Sequence, residues 1–541
     1  MKKAALLDQY GRPISMANNR YLASGYSHSA ASLTKPVFKG WDWKGGSSDD
    51  DIVANLPIIR QRSRQLTMEA PVIKGLYKTM TTNVVGDGLK PEPTPDAEFL
   101  GMDMDAVKKW KSSVMRLWEL FAESANCDVN HKDNFYELTR LAFRAQIESG
   151  DAFVTMPRFE RSYSPFALKI QVIEADCCGD PDAIERLEHE RQGHDIFGGV
   201  EITQWGNVVG YWFYTGHPLS RRRPNFYRHN DIKYPRWIFI PAYGAETGLP
   251  NVLHLMETER PGQRRGIPII APVIELALTL DRYIKAEAIA AQIQAMFTLI
   301  ITSENPAGMM GEMSAMEGEE GERLTEDNDA LIALGPGIVQ YAKPGEKVEP
   351  VNPSRPTTSF EPFINILLKM IGPAVGVPYE LMLQCYQASF SASQAAMNNA
   401  RSNFKVIRSC LVHDFCQPVW EAFMDEVVLR GWINAPGYFD SPIIRSAYTR
   451  AKWNGPGMPQ IDLGKGAANF EKLVSLGFAT ASEATSELTG GNYYENIQER
   501  GREIAAAVDA GMPIAAAKSM TQTAGAISGA ENTAQNSQGG K

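Results

Sequence analysis

The stretch of residues 271–301 constrains this chain more than any other. Its interior, residues 286–300, contains neither glycine nor proline and is rich in alanine and isoleucine, so its intrinsic helical propensity is high. A helix of that length must be covered by lipid or by protein. Asp281, Arg282, Lys285 and Glu287 interrupt the apolar run. The remainder carries Gln292 and Gln294 and falls short of the ~20 residues a membrane span needs. The reading is therefore a long helix packed against other helices, with no membrane insertion.

The rest of the chain supplies the packing partners. With 541 residues it can build several sub-domains, because single cores stop growing at roughly 250–300 residues. Residues 1–50 lack a sustained period and read as an extended arm, ending in the acidic patch Asp49-Asp50-Asp51. Residues 52–85 look helical, with Arg60, Arg62 and Arg64 interleaved with Ile58, Ile59 and Leu66. The run from Pro91 to Pro95 reads as a turn and linker. Trp110, Val114, Leu117 and Phe121 mark one face of a helix. In the next helix Asn134 and Glu137 form a capping box, Leu138, Leu141, Ala142 and Ala145 make the stripe, and Gly150 supplies the stop.

Strand patterns follow at residues 152–156, 168–173, 200–204, 208–214, 237–240 and 252–255, with Gly206-Asn207 turning one hairpin. The first half is thus α+β. An acidic, Met- and Gly-rich stretch at 303–329 reads as a solvated loop, without EF-hand spacing. Further on, an apolar helix is expected at 360–370 and a long one at 393–430, kinked at Pro418, with Phe404, Ile407, Leu411, Phe415 and Val419 on one face. Three short helices are expected at 463–476, 482–488 and 494–508, and a disordered tail at the C-terminus.

Motifs for chemistry are missing. Ser32-Leu33-Thr34-Lys35 matches an acylase pattern but sits in the arm without its partner motifs. Gly464-Lys465 lacks both the first glycine and the Ser or Thr of a phosphate loop, and Gly86-Asp87-Gly88 lacks a third glycine. Cys410, His413 and Cys416 are three apart on a helix, which puts the outer two on different faces, so they read as core cysteines around a partly exposed histidine. The six cysteines form no C-x-x-C pair and no disulfide framework, which fits a reducing compartment. The opening Met1–Asp8 loses its apolar run too early for a signal peptide, so secretion is not expected. No catalytic, cofactor or metal residue is assigned. A net charge of −9 argues against a module that grips nucleic acid by its phosphates.

Several stretches nevertheless occur in the order of one known family. They are Leu56–Leu66 leading to Asn83–Pro91, then Ile173-Glu174-Ala175-Asp176 and Gly199-Val200-Glu201. Next comes the most specific, Arg260-Pro261-Gly262-Gln263-Arg264-Arg265-Gly266-Ile267-Pro268, ahead of the long helix. Gly376-Val377-Pro378-Tyr379-Glu380 and the serine-rich Ser389-Phe390-Ser391-Ala392-Ser393-Gln394 complete the series. Together they resemble the lambda-type family of tailed-bacteriophage portal proteins. Two places depart from that family: Gln384 and Cys385 stand where it has an acidic residue, and Leu463 stands where it has a proline.

The resemblance implies an α+β, multi-domain ring subunit. Its parts would be an arm (1–50), an α/β wing (51–270), a stem helix (271–301), a small β-containing clip (302–358), a second stem helix (359–377), a tunnel loop with a wing helix (378–455), a helical crown (456–510) and a tail (511–541). It also implies a virion protein at the capsid portal vertex, assembled in the host cytoplasm into a ring of about twelve copies. Double-stranded DNA would pass through without sequence specificity. The terminase large subunit, the major capsid and scaffolding proteins, and head-tail connector proteins would be its other partners. Gln387, Ser389, Ser391, Ser393 and Gln394 are the expected tunnel lining. The alternative from another class is a hydrolase acting on nucleic acid or capsid protein through a carboxylate site that no motif singles out.

Overall fold

The computed structural model describes residues 36, 45–182, 193–220, 237–296, 360–385, 390–457 and 463–511. The arm except for its last residues, the acidic 303–329 stretch, the clip, and the tail beyond Gly511 lie outside them.

The described chain is α+β. A short helix α1 (Ser48–Ile52) leads into α2 (Leu56–Glu69) and α3 (Pro71–Val84). The single expected helical stretch is thus two helices, because Pro71 cannot donate a backbone hydrogen bond and pushes Ala70 into extended geometry (φ −97°, ψ 110°). The run expected to be a linker is instead a strand, β1 (Lys90–Pro93), paired antiparallel with β9 (Ala451–Asn454). A two-stranded ladder tolerates its prolines because both strands are edges.

Helix α4 (Met104–Ala122) buries Trp110, Val114 and Phe121 as expected, and Trp118 as well. In α5 (Phe135–Ser149) the capping box is present, with Asn134 accepting from the Glu137 backbone at 2.9 Å and Glu137 accepting from the Asn134 backbone at 3.0 Å. Leu141, expected in the stripe, is exposed, and Phe135, Phe143 and Ile147 are the buried residues beside Leu138 and Ala142.

Three strands, β2 (Asp151–Thr155), β3 (Gln171–Glu174) and β8 (Val252–Met256), form one antiparallel sheet in the order β3-β2-β8. A second sheet runs β4-β5-β6-β7, from His194–Phe197, Val200–Thr203, Val208–Tyr214 and Trp237–Pro241. Gly206-Asn207 lies in the β5–β6 hairpin, as read from the sequence. A small core of Phe153, Cys178, Val200, Ile202, Tyr211 and Phe213 joins the two sheets.

The long helix α6 (Ile274–Met296) follows a 3-10 turn at Ala271–Val273 and packs against α7 (Phe360–Ala374). Short α8 (Tyr379–Leu383) and long α9 (Phe390–Leu411) come next. Just before Pro418, a π-helical turn at Val412–Cys416 precedes α10 (Gln417–Leu429). The wider turn removes the conflict between a proline ring and the carbonyl one turn earlier. Cys410 is exposed rather than a core residue, as is His413, whereas Cys416 is fully buried. Helix α11 (Pro442–Thr449) leads to β9, followed by α12 (Leu463–Ser475), α13 (Ala481–Thr489) and α14 (Tyr493–Asp509).

One large core gathers α3, α4, α5, the start of α6, and α7 to α10. At its centre Trp118 meets Phe135, Trp420 and Phe423 edge-on, with centroids 4.9–5.1 Å apart. No helix among the described residues is long and apolar enough to cross a membrane.

Candidate functional site at the base of the long helices

The arginine-rich segment before α6 is a junction in which each polar residue has an intrachain partner. Gln263 Oε1 accepts from the backbone of Glu259 (2.9 Å) and Arg260 (3.1 Å), and its Nε2 donates to the Arg265 carbonyl at 3.0 Å, which sets the turn. Arg260 pairs with Asp51 at 2.7 Å and Arg264 pairs with Asp49. The acidic patch read in the sequence is therefore the counter-charge of this segment.

Arg265 is buried. Its Nε donates to Asp151 Oδ2 at 2.6 Å, and its remaining donors reach the carbonyls of Ala175 (2.8 Å), Cys178 (2.9 Å) and Gly198. Arg60 Nη2 donates to the other oxygen of Asp151 at 2.7 Å, while its Nε caps the Ser149 carbonyl at the end of α5 at 2.8 Å. The Gly266 backbone adds a third donor to Asp151 at 3.2 Å. Burial alone would raise the Asp151 carboxyl, but Arg265 and Arg60, helped by His254, hold it well below the usual carboxylate range. Burial lowers His254 despite its contact with Asp151, and its imidazole stacks on Phe153 at 4.3 Å.

Backbones also meet here. A Cβ on Gly266 would lie 2.0 Å from the Gly150 carbonyl oxygen, and one on Gly150, at φ +94°, would lie 2.4 Å from that of Gly266. Glycine at both positions lets the end of α5 and the approach to α6 touch.

Above this junction α6 and α7 run together. Ala277, Leu280, Leu367, Leu368 and Ile371 belong to the large core, and Tyr283 meets Phe363 edge-on at 4.9 Å and Phe360 at 5.7 Å. Ile289, Ile366 and Met370 are more than half exposed. The chain leaves α7 through Gly376-Val377-Pro378. Gly376 stands at φ +68°, and its carbonyl accepts from Asn403 Nδ2 of α9 at 3.0 Å. Gln384 closes α8 in the left-handed region at φ +53°.

That turn delivers the expected tunnel segment. Gln387 and Ser389 lie outside the described residues, and Ser391 lies in the first turn of α9. Ser393 is only 4% exposed, and its Oγ has no hydrogen-bond partner among the described residues. Gln394 is half-buried and donates to Asn398 at 3.3 Å.

The motif arginines were visible in the sequence, but their hub, Asp151, was not. The available signal was charge balance: the segment from Arg260 to Arg265 holds three arginines and no acid, so it needed carboxylates from elsewhere. Among the described residues Glu174, Asp176 and His217 are close enough to share a metal ion. Arg64 already bonds both carboxylates, reaching Glu174 at 3.3 Å, and the trio is read as part of the same ion-pair network. Among the described residues both oxygens of Asp151 are engaged, by Arg60 and by Arg265 and the Gly266 backbone.

The family described as "Phage portal protein, lambda family" matches residues 34–408. Portal protein B of Escherichia phage lambda is 22% identical over 500 residues, covering 89% of this chain and 89% of the relative. The portal protein of Escherichia phage N15 is 22% identical over 485 residues, covering 86% and 87%. The probable portal protein of Halomonas phage phiHAP-1 is 23% identical over 460 residues, covering 82% and 80%. Among solved structures, a chain from the virion of a native gene transfer agent particle aligns with a TM-score of 0.38 at 12% identity, covering 81% of this chain and 99% of that one.

Proposed function

The chain belongs to the lambda family of phage portal proteins, and from that premise we propose that copies of it form a closed ring at one capsid vertex through which double-stranded DNA is packaged and ejected. The family match carries this reading, and the local chemistry supports it. The most arginine-rich motif spends Arg260, Arg264 and Arg265 on Asp51, Asp49 and Asp151, so none of the three is left to hold phosphates. A net charge of −9 per copy has the sign of DNA, which suits a conduit that must release what passes through it.

The protein acts as structure and not as an enzyme. Residues 51–270 serve as the wing, 271–301 and 359–377 as the stem, 302–358 as the clip, 378–455 as tunnel loop and wing helix, and 456–510 as the crown. About twelve copies close the ring, each joined to the next through two different faces. The ring docks the terminase large subunit and later the head-tail connector proteins, within a shell of capsid and scaffolding proteins. Gln387, Ser389, Ser391, Ser393 and Gln394 line the channel in this reading, although Ser393 is only 4% exposed in the single chain.

Native mass spectrometry of the purified chain tests this reading. Closed rings of about twelve copies are expected. A strictly monomeric protein under assembly conditions overturns it. The hydrolase alternative has no observation in its favour.

A further inference from the structure

The C-terminal helices lack something every stable helical unit needs. No residue of α13 or α14 is buried, and the one buried residue described in α12 is Gly466. Leu473 in the last turn of α12 and Leu476 and Phe478 just beyond it are 39%, 67% and 77% exposed, and Tyr494 and Ile497 of α14 are 62% and 50% exposed. Helices of this length are marginal in water unless an apolar face is covered.

The arrangement shows where the cover is missing. Helix α13 packs against both α12 and α14, which make no comparable contact with each other. Glu487 of α13 is clasped to the body by Lys405 at 2.6 Å and by Arg401, both on α9, and Ser486 donates to Asn454 of β9 at 3.2 Å. The body thus orients the middle helix, and α14 also approaches it at Glu495, near Lys90 and Glu92 of β1 and Glu119 of α4, while the apolar faces of α12 and α14 stay uncovered.

The outer helices differ in charge. Helix α12 carries Lys465 and Lys472 against Glu471, whereas α14 carries Glu495, Glu499, Glu503 and Asp509 against Arg500 and Arg502. Like helices would meet with like charge and unlike helices with opposite charge. One chain therefore supplies both halves of a head-to-tail joint, which is the kind that closes into rings.

We infer that α12 of one copy packs on α14 of the next, so that the crown acquires its hydrophobic core only when neighbouring copies meet. This inference rests on the ring reading above and names the surface that makes the joint. The occupant is a second copy of this chain. The exposed apolar residues become buried on assembly, and the charged flanks set the order of the helices.

Cross-linking of the full-length chain tests it. In a background with the exposed Cys385 and Cys410 replaced by serine, Leu473→Cys and Ile497→Cys are introduced singly and together, and assembled rings are treated with a flexible bis-maleimide. The double variant should give a ladder of linked copies on a denaturing gel, and neither single variant should. Rings with no ladder, a ladder from either single variant, or a link confined within one chain overturns the inference while leaving the ring reading intact. A chain that stays monomeric overturns both. As a second readout, Lys465→Glu with Lys472→Glu should lose ring assembly at low salt. Adding Glu499→Lys with Glu503→Lys should restore it, and failure of that rescue counts against the joint.

Discussion

Arg265 and Asp151, 114 residues apart in the chain, meet at 2.6 Å in a site closed to solvent, with Arg60 bound to the opposite oxygen of the same carboxylate. Two cations and one anion are buried together, and the node is balanced further by the Asp176 carboxylate 3.8 Å from Arg60. It holds the end of α5, the start of β2 and the approach to α6 in one place. Asp151→Asn keeps the shape but leaves both guanidiniums without their shared counter-charge. Removing one member of such a pair costs about 3–5 kcal/mol. A denaturant melt of the variant should show a loss of that order, and a loss below about 1 kcal/mol would mean the node is not holding the junction.

The same node makes stability depend on pH. The folded Asp151 binds its proton more weakly than the unfolded side chain, whose ordinary value is 3.8, so its contribution is complete well above that value and is lost as pH falls through and below it. His254 also sits below its ordinary value of 6.5, so below that pH the unfolded chain takes up a proton the folded one refuses. Both effects lower stability as the solution is acidified. Melting midpoints measured from pH 7.5 to 3.5 should fall in the native chain, and the part between pH 6.5 and 5 should shrink in His254→Asn. An unchanged slope in that window would exclude a role for His254.

Gly266→Ala tests the backbone contact. Its Cβ would be 2.0 Å from the Gly150 carbonyl oxygen, a backbone atom that cannot swing aside, so soluble yield should collapse or the melt fall by more than about 3 kcal/mol. Gly477→Ala is the control. Unlike Gly266 it has a positive φ, +74°, but nothing lies within 4 Å, and it should cost only about 1 kcal/mol. Equal effects at the two sites would show that the contact between the two glycines carries no special weight.

A second carboxylate ties distant segments together. Glu426 of α10 accepts from the backbone N–H groups of Ala167 (2.7 Å) and Leu168 (2.8 Å) and from Arg430 (2.8 Å). Glu426→Ala strands these donors and should destabilise the chain by about 2–4 kcal/mol, with Glu426→Gln recovering part of the loss. Chemical denaturation of the two variants side by side decides the matter, and indistinguishable midpoints would count against the anchor.

For the channel wall, Ser391→Arg offers phosphates a cation where the native residue offers only a neutral hydroxyl. DNA packaging should slow or stall while rings form normally. The comparison with Ser393→Arg is informative, because Ser393 is buried and its replacement should damage folding before it affects passage. Normal packaging by Ser391→Arg rings would place that residue away from the wall.

The elements legible in the sequence are those whose causes lie within a few residues. The capping box at Asn134 and Glu137, the glycine stop at Gly150, the hairpin at Gly206-Asn207 and the three C-terminal helices depend on neighbours three or four positions away. The family was legible too, because the order of motifs is a property of the chain alone. What the sequence could not determine was the partner of each local feature. The run from Pro91 to Pro95 reads as a linker until Ala451–Asn454 comes to pair with Lys90–Pro93. Leu141 fits a helical stripe by spacing, yet tertiary packing turns it to solvent and buries Phe143 and Ile147. Ser393 is polar and sits among expected channel residues, yet the fold buries it. The arginine motif was identified by its residues alone, but only the folded chain brings Asp49, Asp51 and Asp151 to it. A buried charge must find its counter-charge somewhere, and periodicity along the chain carries no information about which distant carboxylate will be there.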